Sequence, residues 1–321
     1  MDKMLPEPLA QALEKQKYHL VGKHSAVKAC KWLHESLVNR RPCYKNKFYG
    51  ILSHRCLQMS PAVEFCNFRC KFCWRIQPED IGIEWNEKEI PFFDDPKEIA
   101  EGCIKEQQRI ISGYKGNPKV DLMMYEEARR PTHAAISLTG EVTLYPRVGE
   151  LIAEFHKYNM TTFLVTNGSN PKKLSELEEE PSQLYISLYG PDKKTHAKTS
   201  LPLIPKSWEL INQTLELLPS FRCRTAIRLS LVKGYNLIDP KGYAEVIKKA
   251  EPDFVEAKAY FALGYSRRRL GLQYMPSHVE IKEFATELAK ELGYNLVNES
   301  ADSRVVLLSK VLKAEECLLR R

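Results

Sequence analysis

The stretch that decides the fold is Cys66–Trp74, which reads CNFRCKFCW. Its three cysteines are spaced CxxxCxxC, so three thiolates lie on one short loop. Three thiolates can bind three irons of a 4Fe–4S cubane and leave the fourth iron open to a small molecule. The spacing therefore predicts an open iron–sulfur cluster with one reactive iron.

A structural zinc site is the alternative for these cysteines. Such a site usually takes four ligands in two CxxC-like pairs. Only Cys70 and Cys73 have that spacing, and no second pair follows them. The pattern favours the cluster over zinc, and Phe72, directly before the third cysteine, is expected to shield the cluster from water.

The composition is typical of a globular protein. The 321 residues are 43% hydrophobic and 28% charged, which is enough apolar material for a sizeable core. The chain contains no run of about 18 apolar residues, so we expect it to be neither membrane-spanning nor secreted. Nine cysteines then favour metal ligands or buried thiols over disulfides. The net charge of +7 is compatible with a polyanionic partner such as RNA.

Short β-branched runs alternate with helical stretches after the cysteine loop, which is the pattern of βα units around a parallel sheet. Strands are predicted at 62–65, 133–138, 162–166, 184–188, 226–232 and 254–259, and a further one at 304–308. Helices are predicted at 96–112, 147–158, 171–178, 206–218, 240–250 and 276–292.

The predicted fold class is therefore α/β, a partial (β/α)6 TIM-like barrel with extensions at both ends. Residues 1–59 form a helical and polar N-terminal extension, 60–274 the barrel, and 275–321 a C-terminal helix and strand. In such barrels the carboxyl ends of the strands line the active site. Polar residues and glycines occupy those ends here, so ligand contacts are expected there.

Several further motifs resemble one family. The cysteine loop is similar to that of the radical S-adenosylmethionine (radical SAM) superfamily. Six motifs elsewhere in the chain are similar to those of the 4-demethylwyosine synthases, a radical SAM family that modifies tRNA. The motifs are SLTGEVTLYP (137–146), VTNG (165–168), IRLSLVKG (227–234), VEAKAYFALGYSRRRL (255–270), MPSH (275–278) and SRVVLL (303–308). The resemblance covers nearly the whole chain. It implies that the open iron of the cluster on Cys66, Cys70 and Cys73 binds S-adenosylmethionine (SAM).

A second cysteine set, Cys30, Cys43 and Cys56, is spaced by thirteen residues each. From the residues alone, buried free thiols are the ordinary explanation. The resemblance implies that they carry an auxiliary 4Fe–4S cluster with pyruvate bound nearby. It also matches Lys45 to a family lysine that forms a Schiff base with pyruvate. The alternative for Lys45, in a basic segment, is a solvated contact to phosphate.

We expect SAM to bind at the strand ends, on Thr139, Gly140, Glu141, Asn167 and Ser187, because polar groups there point into the mouth of such a barrel. The Glu141 carboxylate can accept hydrogen bonds from the ammonium of SAM, and Asn167 and Ser187 can bind its ribose or carboxylate. The family pattern has proline after Gly140-Glu141, whereas this chain has Val142. Alternatively, Glu141 caps the next helix, and Asn167 and Ser187 initiate turns.

Basic and aromatic residues in the loops after the strands predict an RNA surface. Phosphate contacts supply most of the affinity for RNA, and a flipped base is held in a pocket. The candidates are Trp74, as a stacking platform, with Arg75, Arg267, Arg268 and Arg269. Taken singly, each is more simply a solvated charge or a packing residue.

The leading hypothesis is a cytoplasmic, monomeric radical SAM enzyme with two 4Fe–4S clusters. As the family implies, an adenosyl radical takes hydrogen from the methyl group of N1-methylguanosine beside the anticodon of tRNA. Addition to pyruvate, carbon–carbon scission and ring closure then give 4-demethylwyosine. The chain has no room for the flavodoxin-like domain of eukaryotic relatives, so a separate electron donor is expected. The alternatives are a radical SAM enzyme acting on a peptide or small metabolite, and a zinc-stabilised RNA-binding module.

Overall fold

The computed structural model describes residues 4–84 and 88–319. Two units make up the chain, and each takes its residues from several segments. The first comprises Met1–Cys66, Ile81–Val165 and Leu177–Ser182, and the second Asn67–Asp80, Thr166–Glu176 and Gln183–Arg321. The division predicted at residues 59/60 and 274/275 stays a prediction.

Among its described residues, the first unit has five strands and six α-helices. The strands are β1 (His19–Val21), β2 (Ser25–Val27), β3 (Cys56–Ser60), β4 (His133–Ile136) and β5 (Thr161–Thr166). The helices are α1 (Glu7–Lys15), α2 (Lys31–Asn39), α3 (Tyr44–Tyr49), α4 (Pro96–Ser112), α5 (Leu122–Ala128) and α6 (Val148–Lys157). β3, β4 and β5 pair in parallel, and the antiparallel β1–β2 hairpin joins the edge of β3.

The register of the parallel strands decides which residues share a face. Cys56 is level with His133, and His133 with Thr161. Because side chains alternate along a strand, the face with Cys56 also carries His133 and Phe163. The opposite face is apolar and fully buried at Leu57, Met59, Ala134, Ile136 and Leu164. One face of the sheet thus forms core, and the other carries the candidate site residue Cys56.

The first predicted strand, at 62–65, is wrong. The strand lies earlier, at β3, and 62–65 forms a turn in which the Phe65 N–H donates to the Ala62 carbonyl at 3.1 Å. Pro61 has no N–H for a sheet ladder. Glu64 adopts a φ of +62°, which an extended strand cannot contain. The apolar run Ala62-Val63 is buried through this turn rather than through a strand.

The described part of the second unit also contains five strands and six α-helices. The strands are β6 (Gln183–Leu188), β7 (Arg224–Leu231), β8 (Phe254–Ala259), β9 (Asn295–Ser300) and β10 (Val305–Ser309). The helices are α7 (Pro171–Ser175), α8 (Lys193–Ser200), α9 (Ser207–Leu217), α10 (Pro240–Lys248), α11 (Ser266–Arg269) and α12 (His278–Leu292). β6, β7 and β8 are parallel, whereas β10 lies antiparallel between β8 and β9.

The other predicted elements are confirmed, with ends shifted by a few residues. The α4 helix begins at Pro96 as predicted, because Asp95 accepts the Lys97 N–H at its N-cap. Ser277 and Glu280 form a capping box that starts α12. The β1–β2 hairpin and β9 were not predicted, since β1 and β2 have only three residues each and β9 is largely polar. In the described part of the chain no helix is both long and apolar enough to cross a membrane.

Candidate functional site

The second cysteine set occupies three element ends in the first unit. Cys30 is the N-cap of α2, where its sulfur accepts the Leu33 N–H at 3.3 Å. Cys43 is the N-cap of α3, and Cys56 opens β3. Their side chains are all half-buried free thiols. The first N–H groups of α2 and its dipole point at the Cys30 sulfur, which opposes the rise in the pKa of Cys30 that burial causes.

These thiols lie close enough to act on one another electrostatically. The pKa of Cys30 is raised to about 11, chiefly by burial and next by the nearby Cys43. Burial likewise raises the pKa of Cys56 to about 12, with Cys30 the next largest cause. The positive charge of Lys45 lowers the pKa of both. The fold therefore gathers, from residues 30–56, three thiols and one amine within electrostatic reach of one another.

Lys45 sits on α3 with its amine directed over an aromatic ring. Its Nζ lies 4.7 Å from the centre of the Phe163 ring, on the sheet face that Cys56 shares. The negative face of the ring attracts a cation. Lys45 is half-buried, whereas Lys47 on the same short helix is exposed. The surroundings of Lys45 thus differ from those of a solvated phosphate contact.

His133 was missed as a site residue and supports this cluster of side chains. The Leu52 N–H donates to its Nε2 at 3.2 Å, and its Nδ1 lies 2.6 Å from the Thr161 hydroxyl. Because Nε2 accepts a hydrogen bond from a backbone amide, it carries no hydrogen of its own, and Nδ1 is the protonated ring nitrogen that faces Thr161. The hydroxyl of Ser53, the residue after Leu52, accepts the Cys43 N–H at 2.8 Å. His133 thereby fixes the 52–53 turn against which Cys43 rests; its place at the start of a predicted strand gave no hint of this.

The Cys66 end of the cluster loop is held by the turn after β4. The Glu141 N–H donates to the Phe65 carbonyl at 2.7 Å. Gly140 adopts a φ of +71°, and a Cβ atom there would lie 1.7 Å from the Ala62 carbonyl oxygen. Only glycine allows that approach. The Gly140-Glu141 backbone therefore positions the entry to the loop.

Thr139 and Glu141 are both buried and both hydrogen-bonded within the first unit. The Thr139 hydroxyl donates to Glu64 at 2.9 Å. The Oε1 atom of Glu141 accepts the Thr143 N–H at 3.1 Å and the Thr143 hydroxyl at 2.7 Å. Glu141 thus caps the short 3-10 turn that follows, which was the alternative role for it. A carboxylate can accept about four hydrogen bonds, so capping is compatible with binding a ligand ammonium.

In the second unit, the loop residues after Cys66 meet the predicted SAM contact Asn167. The Asn167 amide donates to the Asn67 side-chain oxygen at 2.8 Å, and the Asn67 amide donates to Ser169 at 2.8 Å. Asn67 was missed, although its position next to Cys66 was a usable signal. Phe72 packs on Tyr189 with ring centres 5.2 Å apart. An aromatic cover beside Cys73 agrees with the predicted shielding.

Ser187 lies in a row of polar residues across three parallel strands. It is level with Arg228 on β7, which is level with Glu256 on β8. The Arg228 Nε donates to Glu256 at 2.8 Å, and the Glu256 side chain is 0% exposed. Burying such a pair is costly unless its geometry is good, so one face of this sheet is built for polarity. The alternation of polar and apolar residues along β7 indicates that one of its faces is polar, but the sequence alone did not show which face meets a ligand.

The predicted RNA residues fall into two groups in the second unit. Arg267 and Arg268 are exposed, and Arg268 lies over the Tyr265 ring at 4.8 Å. Arg75 lies over the half-buried Trp74 ring at 4.6 Å. Arg269 differs, because its guanidinium is ion-paired with Asp80 and donates to the carbonyls of Cys73 and Arg75. The arginine run therefore presents two side chains outward and one inward.

No three His, Cys, Asp or Glu side chains within residues 4–84 and 88–319 converge as a single metal ion requires. A 4Fe–4S cubane makes a different demand, because each thiolate binds a separate iron. Its sulfur ligands need not meet at one point. Two sets of three cysteines, one on a single loop and the other at the ends of α2, α3 and β3, fit the ligand number of such clusters.

Two family models match the chain. Residues 61–247 match the radical SAM superfamily, and residues 249–310 match the domain of wyosine base formation. A tRNA 4-demethylwyosine synthase of Pyrococcus horikoshii is 50% identical over 95% of this chain and 90% of that protein. The chain belongs to the tRNA 4-demethylwyosine synthase family. A Methanocaldococcus jannaschii synthase is 41% identical over 95% of this chain and 96% of its own length.

Solved structures place the fold in the same 4-demethylwyosine synthase family. A structure of TYW1 with a lysine-pyruvate adduct bound matches with a TM-score of 0.86 and 38% identity, over 96% of this chain and 97% of that one. A crystal structure of archaeal TYW1 matches with a TM-score of 0.78 and 36% identity, over 95% of this chain and 96% of that one. The predicted α/β fold of the radical SAM type is thereby confirmed.

Proposed function

We propose that this protein is a radical SAM enzyme that makes 4-demethylwyosine on tRNA from N1-methylguanosine and pyruvate. The observation that carries the proposal is the gathering of Lys45 with Cys30, Cys43 and Cys56 in one unit. A ketoacid bound beside the candidate cluster needs an amine with which to form a Schiff base. The lysine-pyruvate adduct in a 38% identical relative supports the same chemistry.

Each cysteine set holds one 4Fe–4S cluster in this proposal. Cys66, Cys70 and Cys73 hold the first, and Cys30, Cys43 and Cys56 the auxiliary one. When bound, the first cluster and SAM supply a carbon-centred radical that can take hydrogen from a methyl group. In the second unit, Arg269 fixes the Cys73 carbonyl, which supports this role for the loop.

Lys45 is the residue that binds pyruvate. Its neutral amine adds to the ketone carbon, and the carbonyl oxygen leaves as water, so that a C=N bond replaces C=O. The Phe163 ring favours the protonated imine, as it favours the ammonium. The bound three-carbon unit is thus held at a fixed distance from α3, which lowers the entropy cost of the later carbon–carbon bond.

SAM is bound in this proposal by Thr139, Gly140, Glu141, Asn167 and Ser187. All but Gly140 are buried, and each belongs to a turn or strand end that the surrounding hydrogen bonds fix. Fixed donors and acceptors orient a ligand without reorganisation. The amide of Asn167 and the carboxylate of Glu141 suit the amino-acid end of SAM, which offers an ammonium and a carboxylate.

The RNA-facing residues are Trp74, Arg75, Arg267 and Arg268, and Arg269 stands behind them. Arg75 and Arg268 lie over aromatic rings, and Arg267 and Arg268 are exposed. Phosphate binding and base stacking both use such groups. A separate electron donor, a monomeric state and a cytoplasmic location complete the proposal, the last because tRNA is the substrate.

The test is an anaerobic assay with purified protein, a reductant, SAM, pyruvate and tRNA that carries N1-methylguanosine. We expect the tricyclic base after digestion of the RNA, detected by mass. Replacing either cysteine set by alanine should remove about four irons per chain and leave the other four. SAM cleavage without change of the RNA would point to a peptide or small-metabolite substrate, and zinc without iron to a binding module; either result contradicts the proposal.

A further inference from the structure

The loop that carries Cys70 and Cys73 is anchored first through its backbone. The Arg69 N–H donates to the carbonyls of Ser200 and Leu201 at 3.1 and 3.0 Å, and the Lys71 N–H donates to Thr199 at 3.2 Å. These carbonyls end helix α8, where the last turn has no partners within the helix. The first half of the loop thus completes a helix end, and the helix fixes the backbone around Cys70.

The second half of the loop is held by side chains. Arg269 donates through Nη2 to the carbonyls of Cys73 and Arg75, and through Nη1 to Asp80. The Asp80 Oδ2 also accepts the Gln77 N–H at 2.7 Å, and the Gln77 amide donates to the Cys70 carbonyl at 3.3 Å. A connected set of three side chains therefore grips the carbonyls of two predicted cluster ligands.

The Arg269–Asp80 pair is largely removed from water. The side chain of Arg269 is 17% exposed and that of Asp80 is 9% exposed. Charge-assisted hydrogen bonds are strong in such surroundings. The planar guanidinium can reach two carbonyls and a carboxylate at once, whereas a lysine ammonium is a single point charge on a flexible stem. The geometry thus specifies arginine and not merely positive charge.

We propose that Arg269 is a positioning residue for the first cluster, and that the Arg269–Asp80 pair fixes the Cys73 end of the loop. The inference rests on the proposed function, in which Cys66, Cys70 and Cys73 bind that cluster. Metal ligands must reach their positions within about 0.2 Å. A carbonyl held by an arginine keeps the adjoining thiol within that tolerance. Arg269 then acts on the loop, and not on RNA as Arg267 and Arg268 do.

The test counts iron in a chain whose auxiliary cysteines Cys30, Cys43 and Cys56 are all alanine, so that only the first cluster contributes. In this background we compare Arg269→Gln, Arg269→Lys and the exposed control Arg268→Gln after the same anaerobic reconstitution. We expect the control to keep about four irons per chain. Both Arg269 variants should lose at least half of the iron that the control keeps.

A second readout does not depend on iron. In the metal-free full-length chain, amide hydrogen exchange over residues 69–80 should become at least tenfold faster in Arg269→Gln and stay unchanged in Arg268→Gln. Asp80→Asn, which keeps an acceptor for Gln77 but removes the charge, should fall between. Exchange that rises across all of residues 183–319 would show general unfolding and would contradict a local positioning role.

The outcomes separate the two ideas. If the background chain itself binds no iron, the proposed function fails, and the positioning role falls with it. If the background binds iron and both Arg269 variants bind as much, with unchanged exchange, only the positioning role is overturned. Normal iron together with an RNA affinity as weak as that of Arg268→Gln would assign Arg269 to the RNA surface instead.

Discussion

The amine of Lys45 lies 4.7 Å from the centre of the Phe163 ring, on the sheet face that also bears Cys56. A ring face attracts an ammonium or a protonated imine by about 0.5–2 kcal/mol. Phe163→Leu removes that attraction and keeps an apolar side chain. We expect the apparent Kd for pyruvate to rise by about 2- to 30-fold. Phe92→Leu, at an exposed phenylalanine of the same unit, is the control and should leave it unchanged.

Borohydride with labelled pyruvate tests the covalent role of Lys45. A Schiff base is reduced to a stable secondary amine, so the wild-type chain should retain label on the peptide that contains Lys45. Lys45→Arg should retain none, because arginine does not lose its proton. Lys47→Arg, two residues along the same helix and exposed, should be labelled like the wild type. Label that persists in Lys45→Arg would move the covalent site elsewhere.

Gly140 should tolerate no side chain. Alanine at this position would combine a φ of +71° with a Cβ placed 1.7 Å from the Ala62 carbonyl oxygen. We expect a decrease of about 1–3 kcal/mol or more in the free energy of unfolding, measured by urea denaturation of the metal-free chain. Gly116→Ala is a matched control, since nothing lies within 4 Å of a Cβ there. Equal stability of the two variants would contradict the described turn.

His196 should make the second unit sensitive to acid. Its side chain is 0% exposed and packs on Phe68 of the cluster loop at 5.6 Å, and burial lowers its pKa to about 4. An unfolded histidine has a pKa of about 6.5, so the unfolded chain binds more protons between these values. The stabilising effect of a neutral His196 is complete above pH 6.5 and is lost as the pH falls toward 4.

The corresponding measurement compares unfolding of the metal-free chain at pH 7 and pH 5. The wild type should lose about 2 kcal/mol more than His196→Gln over that interval, because glutamine does not titrate there. The difference between the two proteins isolates His196 from the other groups that titrate. An identical pH dependence in both would mean that the buried ring is protonated without cost.

The exposed arginines should bind phosphates of the RNA. Replacing Arg267 and Arg268 by alanine should weaken the binding of any tRNA, whatever its nucleotide sequence. The slope of log K against log salt should shrink by about 1 for each phosphate that the variant no longer neutralises. The control is Arg222→Ala. Arg222 is exposed and lies just before β7, at the end of that strand opposite to the loop that follows it. A slope that does not change would remove both arginines from the RNA surface.

Much of the fold could be predicted because its signals are local. The boundaries of α4 follow from Asp95, Pro96 and an amphipathic run, which act within a few residues. Five of the six predicted parallel strands are correct for the same reason. The strand predicted at 62–65 failed because its apolar residues are buried in a turn that Gly140, some 75 residues later, makes possible.

By itself the sequence determined the spacing of the two cysteine sets, the alternation of strands and helices, and the family to which the motifs belong. Only the tertiary structure decided that Lys45 approaches Phe163, that Gly140 must be glycine, and that Arg269 turns inward to Asp80 while Arg267 and Arg268 face solvent. The physical reason is range. Secondary structure and ligand spacing depend on neighbours along the chain, whereas these contacts join residues up to 189 positions apart, which only packing brings together.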